Sequence, residues 1–358
     1  MSYVQLMTTY NQKKIFNKLL SSKKTVIVAE MSSNHCQSLS KALKIVDEAK
    51  KAGADILKIQ TFKPESLSLQ KKGNNHSFKK VKKWKKFKNR YELFKKAYLP
   101  WEWHEKIFLR AKKNNLPIFS SPFDLEAVDF LEKIKCPAYK IASPEITDIP
   151  LIEKVAKTKK PIILSLGLAE KKDIDLAVKT LKKFKCKKFI LLKCLAHYPA
   201  NPELLNLNSI SLLKKIYNCE IGFSDHTVDS VSAITSVALG AKMIEKHFKL
   251  KNEKNSLDSF FSLDPLRFKK MVQDIRVAES AIGLKTFKID KNTKQGLKGR
   301  KSIFIKKKIR KNEIINHNNL TIVRPFDGLH PQFYKKVIGK KAKKNLPYGK
   351  PLKLTDIN

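Results

Sequence analysis

The hydrophobic positions of this chain gather into short, nearly unbroken runs of aliphatic and β-branched residues. Longer stretches between them repeat apolar residues every three or four positions. The runs at 25–32, 54–61, 117–122, 138–143, 161–166, 189–195, 220–224 and 242–248 read as strands, because continuous apolar character is what a strand covered on both faces requires. Ser40 to Ala52, Trp101 to Asn114, Leu125 to Ile134 and Lys171 to Phe184 read as amphipathic helices between them. Strand–helix alternation predicts a parallel sheet coated with helices, and eight strands in about 260 residues fit a closed barrel better than an open sheet. The expected fold is therefore α/β, a TIM (β/α)8 barrel over 23–283 that follows a polar extension at 1–22. A polar linker, 284–299, leads to a compact segment, 300–358, with short strand candidates at Ser302–Ile305 and Leu320–Val323. That segment is too small to build a large core.

The apolar runs end in residues capable of chemistry. One closes on Glu30, another on Lys58-Ile-Gln60, and later ones on Tyr139-Lys140-Ile-Ala-Ser143-Pro-Glu145, Ser224-Asp225-His226 and Glu245-Lys246-His247. In a parallel barrel the strand ends converge on one mouth, where barrel active sites lie. His226 and His247 end neighbouring strands, each beside an acid, Asp225 and Glu245 respectively, and two imidazoles there suit a divalent metal with positions left open for water or substrate. The competing reading makes each histidine a hydrogen-bonded core residue. Lys58, Lys140 and Lys246, with the hydroxyls of Ser121, Ser143 and Ser224, suggest a site for phosphate and carboxylate, since an inward ammonium is costly unless it faces an anion. Glu30 and Glu145 are candidates for proton transfer or for orienting water, and an ion pair with a lysine is the bland alternative for each. No G-x-x-x-x-G-K-[ST] or G-x-G-x-x-G run is present, so nucleotide binding is not indicated.

Composition narrows the class. The chain has 358 residues, 42% hydrophobic and 30% charged, enough for a full globular core. No apolar run reaches the roughly 18–20 residues that span a bilayer. Met1 to Ser22 lacks the apolar stretch and cleavage site of a secretory signal, so a cytoplasmic protein is expected. The five cysteines, Cys36, Cys136, Cys186, Cys194 and Cys219, form no C-x-x-C pair and do not resemble a disulfide framework. The net charge of +43 raises the alternative of a nucleic-acid or polyanion-binding protein. Only seven of the 75 basic residues are arginine, however, and the lysines are spread along every predicted helix. Base readers lean on arginine, so the charge reads as a compositional bias, and specific nucleic-acid binding is not expected. One connection, Lys63 to Leu99, is unusually long and includes Gly73-Asn-Asn-His76 and a basic run, Lys79 to Arg90, with Trp84 and Phe87. It reads either as a lid or binding element or as a solvated excursion.

Taken together, these motifs resemble the sialic acid (nonulosonic acid) synthase family. The likeness is carried by Ala29-Glu30-Met-Ser-Ser-Asn34-His35, Lys58-Ile-Gln60-Thr61-Phe62, Ser120-Ser-Pro-Phe-Asp124, Tyr139-Lys140-Ile-Ala-Ser143-Pro-Glu145, Ser224-Asp-His226-Thr227 and Ile244-Glu-Lys-His247-Phe248. It extends over about residues 24 to 356, and its tail, with Arg324-Pro325 and Gly339-Lys-Lys-Ala342, resembles the SAF (antifreeze-like) domain of the same family. Tyr98-Leu-Pro-Trp101-Glu-Trp103-His104 and Asp258-Ser259-Phe-Phe-Ser262-Leu-Asp-Pro265 resemble the pseudaminic branch, with the neuraminate and legionaminate branches as alternatives.

The resemblance implies condensation of phosphoenolpyruvate with an open-chain amino sugar, with C–O cleavage and release of phosphate. For the pseudaminic branch that sugar is 2,4-diacetamido-2,4,6-trideoxy-L-altrose. It assigns a divalent metal, Mn²⁺ first and Mg²⁺ or Co²⁺ as alternatives, to His226 and His247, and phosphoenolpyruvate to Lys58, Ser121, Lys140, Ser143 and Ser224. It puts Glu30, Gln60, Tyr198 and Asp258 near the sugar, with Glu30 or Glu145 assisting proton transfer. It also implies a homodimer in which the SAF domain reaches the partner's site and its arginine, here Arg324, caps the sugar. The chain departs from the family pattern at Cys194-Leu195-Ala196-His197-Tyr198-Pro199 and Ser165-Leu-Gly-Leu-Ala169. Polar side chains are lost at both places, which bears on affinity and substrate more than on reaction type.

Overall fold

In the computed structural model, described over residues 20–70, 81–186 and 189–358, eight parallel strands close into a barrel. They are β1 (Val26–Glu30), β2 (Ile56–Thr61), β3 (Ile118–Pro122), β4 (Tyr139–Ile141), β5 (Ile162–Ser165), β6 (Phe189–Cys194), β7 (Glu220–Asp225) and β8 (Met243–His247). Each strand pairs with the next, and β8 returns to β1 with Glu30 opposite His247. Every predicted strand is present, trimmed by a residue or two at most bounds. The residues expected at 1–19 and the Gly73–His76 stretch lie outside the described residues.

The strands form because their apolar residues are covered on both sides, from within the barrel and by helices outside. All five residues of β1 are buried, as are all five of β3 and β8. Gly222 of β7 answers a space requirement: a Cβ there would lie 2.5 Å from a Leu192 methyl and from the Met243 carbonyl oxygen. The outer helices include α1 (Leu39–Lys51), α2 (Arg90–Ala97), α3 (His104–Lys113), α4 (Leu125–Lys133), α5 (Ile149–Lys157), α6 (Lys171–Lys183), α7 (Ser209–Tyr217), α8 (Val231–Ala238) and α9 (Pro265–Ile282). Side chains cap several of their first turns. Asp124 accepts from the Ala127 amide at 2.7 Å, Asp148 from Leu151 at 3.0 Å, and Asp264 from Leu266 at 3.0 Å. Caps at these positions fix where each strand-to-helix connection ends, and so where the strand-end side chains sit.

The chain divides into two compact units between Gly283 and Leu284. In the second, both predicted strands are present, and β9 (Ser302–Ile305) pairs antiparallel with β10 (Leu320–Val323). Ile303, Ile305, Ile309, Ile315, Leu346 and Leu352 form its small core. Asp356 is buried within it and is paired with Lys350 at 2.8 Å and Lys344 at 3.0 Å. No helix among the described residues is long and apolar enough to cross a membrane.

Candidate active site

The C-terminal ends of the barrel strands surround a cavity of about 450 Å³. Its floor is a network of buried charge. Glu245 of β8 accepts from Lys58 Nζ of β2 at 2.5 Å, from Lys140 Nζ of β4 at 2.9 Å to each oxygen, and from Ser224 Oγ of β7 at 3.2 Å. Burial opposes its ionisation, but the ammonium groups of Lys140 and Lys58 outweigh that and hold its carboxyl well below the usual range. Burial likewise favours a neutral Lys58, yet the charges of Glu245 and Glu30 hold it above the ordinary lysine value. Lys140 goes the other way. Burial lowers it to about 8, with Lys58 adding to the fall and Glu245 resisting it. Two buried ammonium groups share the Glu245 carboxylate, and Lys58 also lies 3.3 Å from Glu30, whose carboxyl burial pushes up to about 7. Cation therefore exceeds carboxylate here to the extent that Glu30 is protonated, an arrangement suited to an anion.

Hydroxyls ring this floor. Ser121 Oγ and Ser165 Oγ are buried without a hydrogen-bond partner. Ser143 Oγ accepts from the Gly167 amide at 3.0 Å. Buried polar atoms without partners are rare in folded proteins, and here they accompany the two buried ammonium groups. Ser165, in the segment where the chain departs from the family pattern, lines the cavity.

Above the floor on one side stand the histidines, their ring centroids 5.3 Å apart. His226 Nδ1 lies 2.9 Å from the Leu195 carbonyl oxygen, which accepts its proton, so in the neutral ring Nε2 is the lone-pair nitrogen. Burial, reinforced by His226, holds His247 well below the usual imidazole value, so it is neutral near pH 7. Its Nδ1 is buried and has no partner. Burial opposes protonation of His226, but Cys194 and the Leu195 carbonyl outweigh it and raise that ring above the usual imidazole value. Two closely spaced imidazoles, one neutral and one oriented by a carbonyl, fit a shared divalent ion that would displace the proton. Among the described residues, no group of three or more His, Cys, Asp and Glu is placed to hold a metal, so an ion here depends on water or substrate for its other ligands. Phe261 covers both rings, at centroid distances of 4.6 Å from His247 and 5.8 Å from His226, and Tyr198 lies 4.5 Å from His226.

The other side is a relay of side chains. Glu30 is fully buried and accepts from Gln60 Nε2 at 2.9 Å, and Lys58 Nζ is 3.3 Å from its second oxygen. Burial pushes the Glu30 carboxyl up to about 7 against the pull of Lys58. Gln60 also donates to Ser32 Oγ at 3.2 Å, and Ser32 Oγ donates to Asp258 at 2.7 Å. The same Asp258 oxygen accepts from Ser33 Oγ at 2.7 Å. Ser32 holds a left-handed backbone, φ 45°, unusual for a residue with a side chain. Glu145 sits in the short helical turn after β4, one oxygen buried without a partner, and burial pushes its carboxyl up to about 7.

Of the expected residues, Lys58, Gln60, Lys140, Ser143, Tyr198, Ser224, His226, His247 and Asp258 line the cavity. Glu30 is tied to it through Gln60, and Ser121 stands opposite Gln60 in the sheet register. Arg324 is an exposed residue of the C-terminal unit. One expectation needs correcting. Lys246 does not join the anion site. It is one residue out of phase with Glu245 and His247, so it points away from the barrel axis, where it binds Asp225 at 2.7 Å and the Thr227 and Asp229 carbonyls. Asp225 and Glu245, the acids beside the histidines in sequence, are both committed to lysines. Sequence reasoning missed Glu245 as the hub of the floor, together with Ser32, Ser33 and Phe261. For Glu245 a signal existed in its two-residue spacing from His247. The other three lie on connections without a period.

The NeuB family model matches residues 45–287 and the SAF domain model matches 300–358. A pseudaminic acid synthase of Campylobacter jejuni is 42% identical over 93% of this chain and 97% of its own length. An N,N'-diacetyllegionaminic acid synthase of the same species is 36% identical over 90% and 97%. A crystal structure of N-acetylneuraminic acid synthetase from Leptospira borgpetersenii superposes with a TM-score of 0.68 at 30% identity, covering 77% of this chain and 90% of that one. The chain belongs to the NeuB family, is an enzyme of that class, and carries a SAF domain.

Proposed function

We propose that this enzyme is a pseudaminic acid synthase, condensing phosphoenolpyruvate with 2,4-diacetamido-2,4,6-trideoxy-L-altrose in its open-chain aldehyde form. The observation that carries the reading is the floor of the cavity. Two buried ammonium groups, Lys58 and Lys140, share one carboxylate beside serine hydroxyls without partners, which is the chemistry an enol phosphate with a carboxylate needs. Likeness to pseudaminic acid synthases over nearly the whole chain supports the choice of sugar.

In this reading Lys58, Lys140, Ser121, Ser143 and Ser224 hold phosphoenolpyruvate with its methylene carbon toward the aldehyde. Gln60, Tyr198 and Asp258 hold the sugar so that the two carbons meet, an advantage of orientation. The methylene carbon bonds to the aldehyde carbon, whose oxygen takes a proton from the protonated form of Glu30 or Glu145. Water then adds to the electron-poor C2, and Glu30 or Glu145 takes its proton, both being poised near neutrality. The C2–O bond to phosphate then breaks as the C2 hydroxyl gives its proton to the leaving phosphate, which yields a ketone and inorganic phosphate. His226 and His247 would hold a divalent ion, Mn²⁺ first among Mn²⁺, Mg²⁺ and Co²⁺, which when bound supplies Lewis-acid polarisation of the sugar carbonyl. The protein works as a cytoplasmic homodimer with Arg324 of the SAF domain reaching the partner's sugar, and its lysine excess binds polyanions without sequence preference.

The test supplies phosphoenolpyruvate with each of three sugars, the altrose derivative and the legionaminate and neuraminate precursors, with and without chelator. Phosphate release with the altrose derivative, lost on chelation, is expected. Release with another sugar alone would reassign the substrate, and release with none would remove the reading.

A further inference from the structure

The segment 81–97 between β2 and α3 is fastened to the connection between β8 and α9 by two consecutive residues. Lys83 Nζ donates to the carbonyl oxygens of Lys254 at 2.5 Å and Ser256 at 3.2 Å, and also to Ser259 Oγ. Trp84 Nε1 donates to the Leu257 carbonyl oxygen at 3.2 Å. These acceptors bracket Asp258, whose carboxylate in turn accepts from Ser32 and Ser33. Leu93 and Leu257 pack together beneath Trp84 and Phe87, closing the same contact with apolar surface. The Trp84 ring continues to Tyr198, centroids 5.7 Å apart, so one residue touches the Asp258 connection and the aromatic wall over His226.

Asp258 lies on a connection with no strand register to hold it. An ammonium and an indole N–H donating to the carbonyls on either side of it supply what the register supplies on the floor, since hydrogen bonds from charged donors are the stronger kind. We propose that Lys83 and Trp84 are positioning residues for the sugar half of the reaction, fixing Asp258 through the backbone that carries it. They touch neither Lys58 nor Lys140, so the phosphoenolpyruvate half is independent of them. The kinetic side of this proposal rests on the function proposed above, whereas its structural side does not.

The test compares Lys83→Met, Lys83→Arg and Trp84→Phe. In Lys83→Met the KM for the sugar should rise about tenfold, with kcat and the KM for phosphoenolpyruvate within about twofold of wild type. Lys83→Arg, which can still donate to carbonyls, should recover most of the loss, and Trp84→Phe, which keeps the ring but not the N–H, should cost about threefold. Hydrogen exchange without substrate should quicken across 253–262 and at Ser33 in Lys83→Met and, less, in Trp84→Phe. Unchanged exchange there would overturn the proposal whatever the sugar, and so would an equal rise in both KM values. If wild type turns over no sugar, the function reading fails while the exchange measurement still decides this one.

Discussion

At the floor of the cavity, Lys58, Lys140, Ser224 and Glu245 stand on strands locked in the barrel's register, with Ser224 directly opposite Glu245. At the rim, Ser32, Trp84, Asp258 and Phe261 stand on connections that hold one another by bonds from side chains to distant residues, such as Ser32 to Asp258 across 226 positions. The floor is assembled from backbone order and pays heavily for each buried charge. The rim is assembled from replaceable contacts. A family that keeps one reaction while changing its sugar can vary the second without disturbing the first. The differences between floor and rim can be broken or sharpened by substitution.

The largest effect is expected at Glu245. In Glu245→Gln the two lysines lose their shared carboxylate while remaining buried, and breaking such a pair costs about 3–5 kcal/mol. Thermal or urea unfolding should show that loss together with loss of turnover. Unchanged stability would mean the floor is not held by charge. Next comes His247→Ala, which should lower turnover about 100-fold or more while leaving the unfolding midpoint nearly in place, since the imidazole has no partner at Nδ1. Full activity would remove the metal assignment. A smaller effect should appear with pH. Lys140, lowered by burial to about 8, is cationic below that value and neutral above it. The KM for phosphoenolpyruvate should therefore climb as pH rises through about 8, and Lys140→Arg, charged throughout, should flatten the rise. A flat wild-type profile would show that Lys140 does not face the anion.

The floor was largely legible in the sequence because strand ends carry a simple rule. Apolar runs stop where the barrel opens, so Lys58, Lys140, Ser224, His226 and His247 could be named from the runs they close. The same rule, applied with its period of two, separates Glu245 from Lys246, and ignoring that parity is what placed Lys246 with the anion site. The role of the Leu195 carbonyl in orienting His226 could not be read from residue type, since any residue there supplies the same oxygen. The rim had no period to follow. Lys83 lies in the basic run Lys79 to Arg90, which reads either as a binding element or as a solvated excursion, and only the fold sets it among carbonyls.

The division into an anion-holding floor and a sugar-holding rim is tested most directly by steady-state kinetics of two variants, Lys140→Met and Asp258→Asn, each measured against both substrates. The expected pattern is crossed. Lys140→Met should raise the KM for phosphoenolpyruvate by about tenfold or more and leave that for the sugar within about twofold, and Asp258→Asn should do the reverse. If both variants raise the same KM, or each raises both alike, the cavity is not divided in this way.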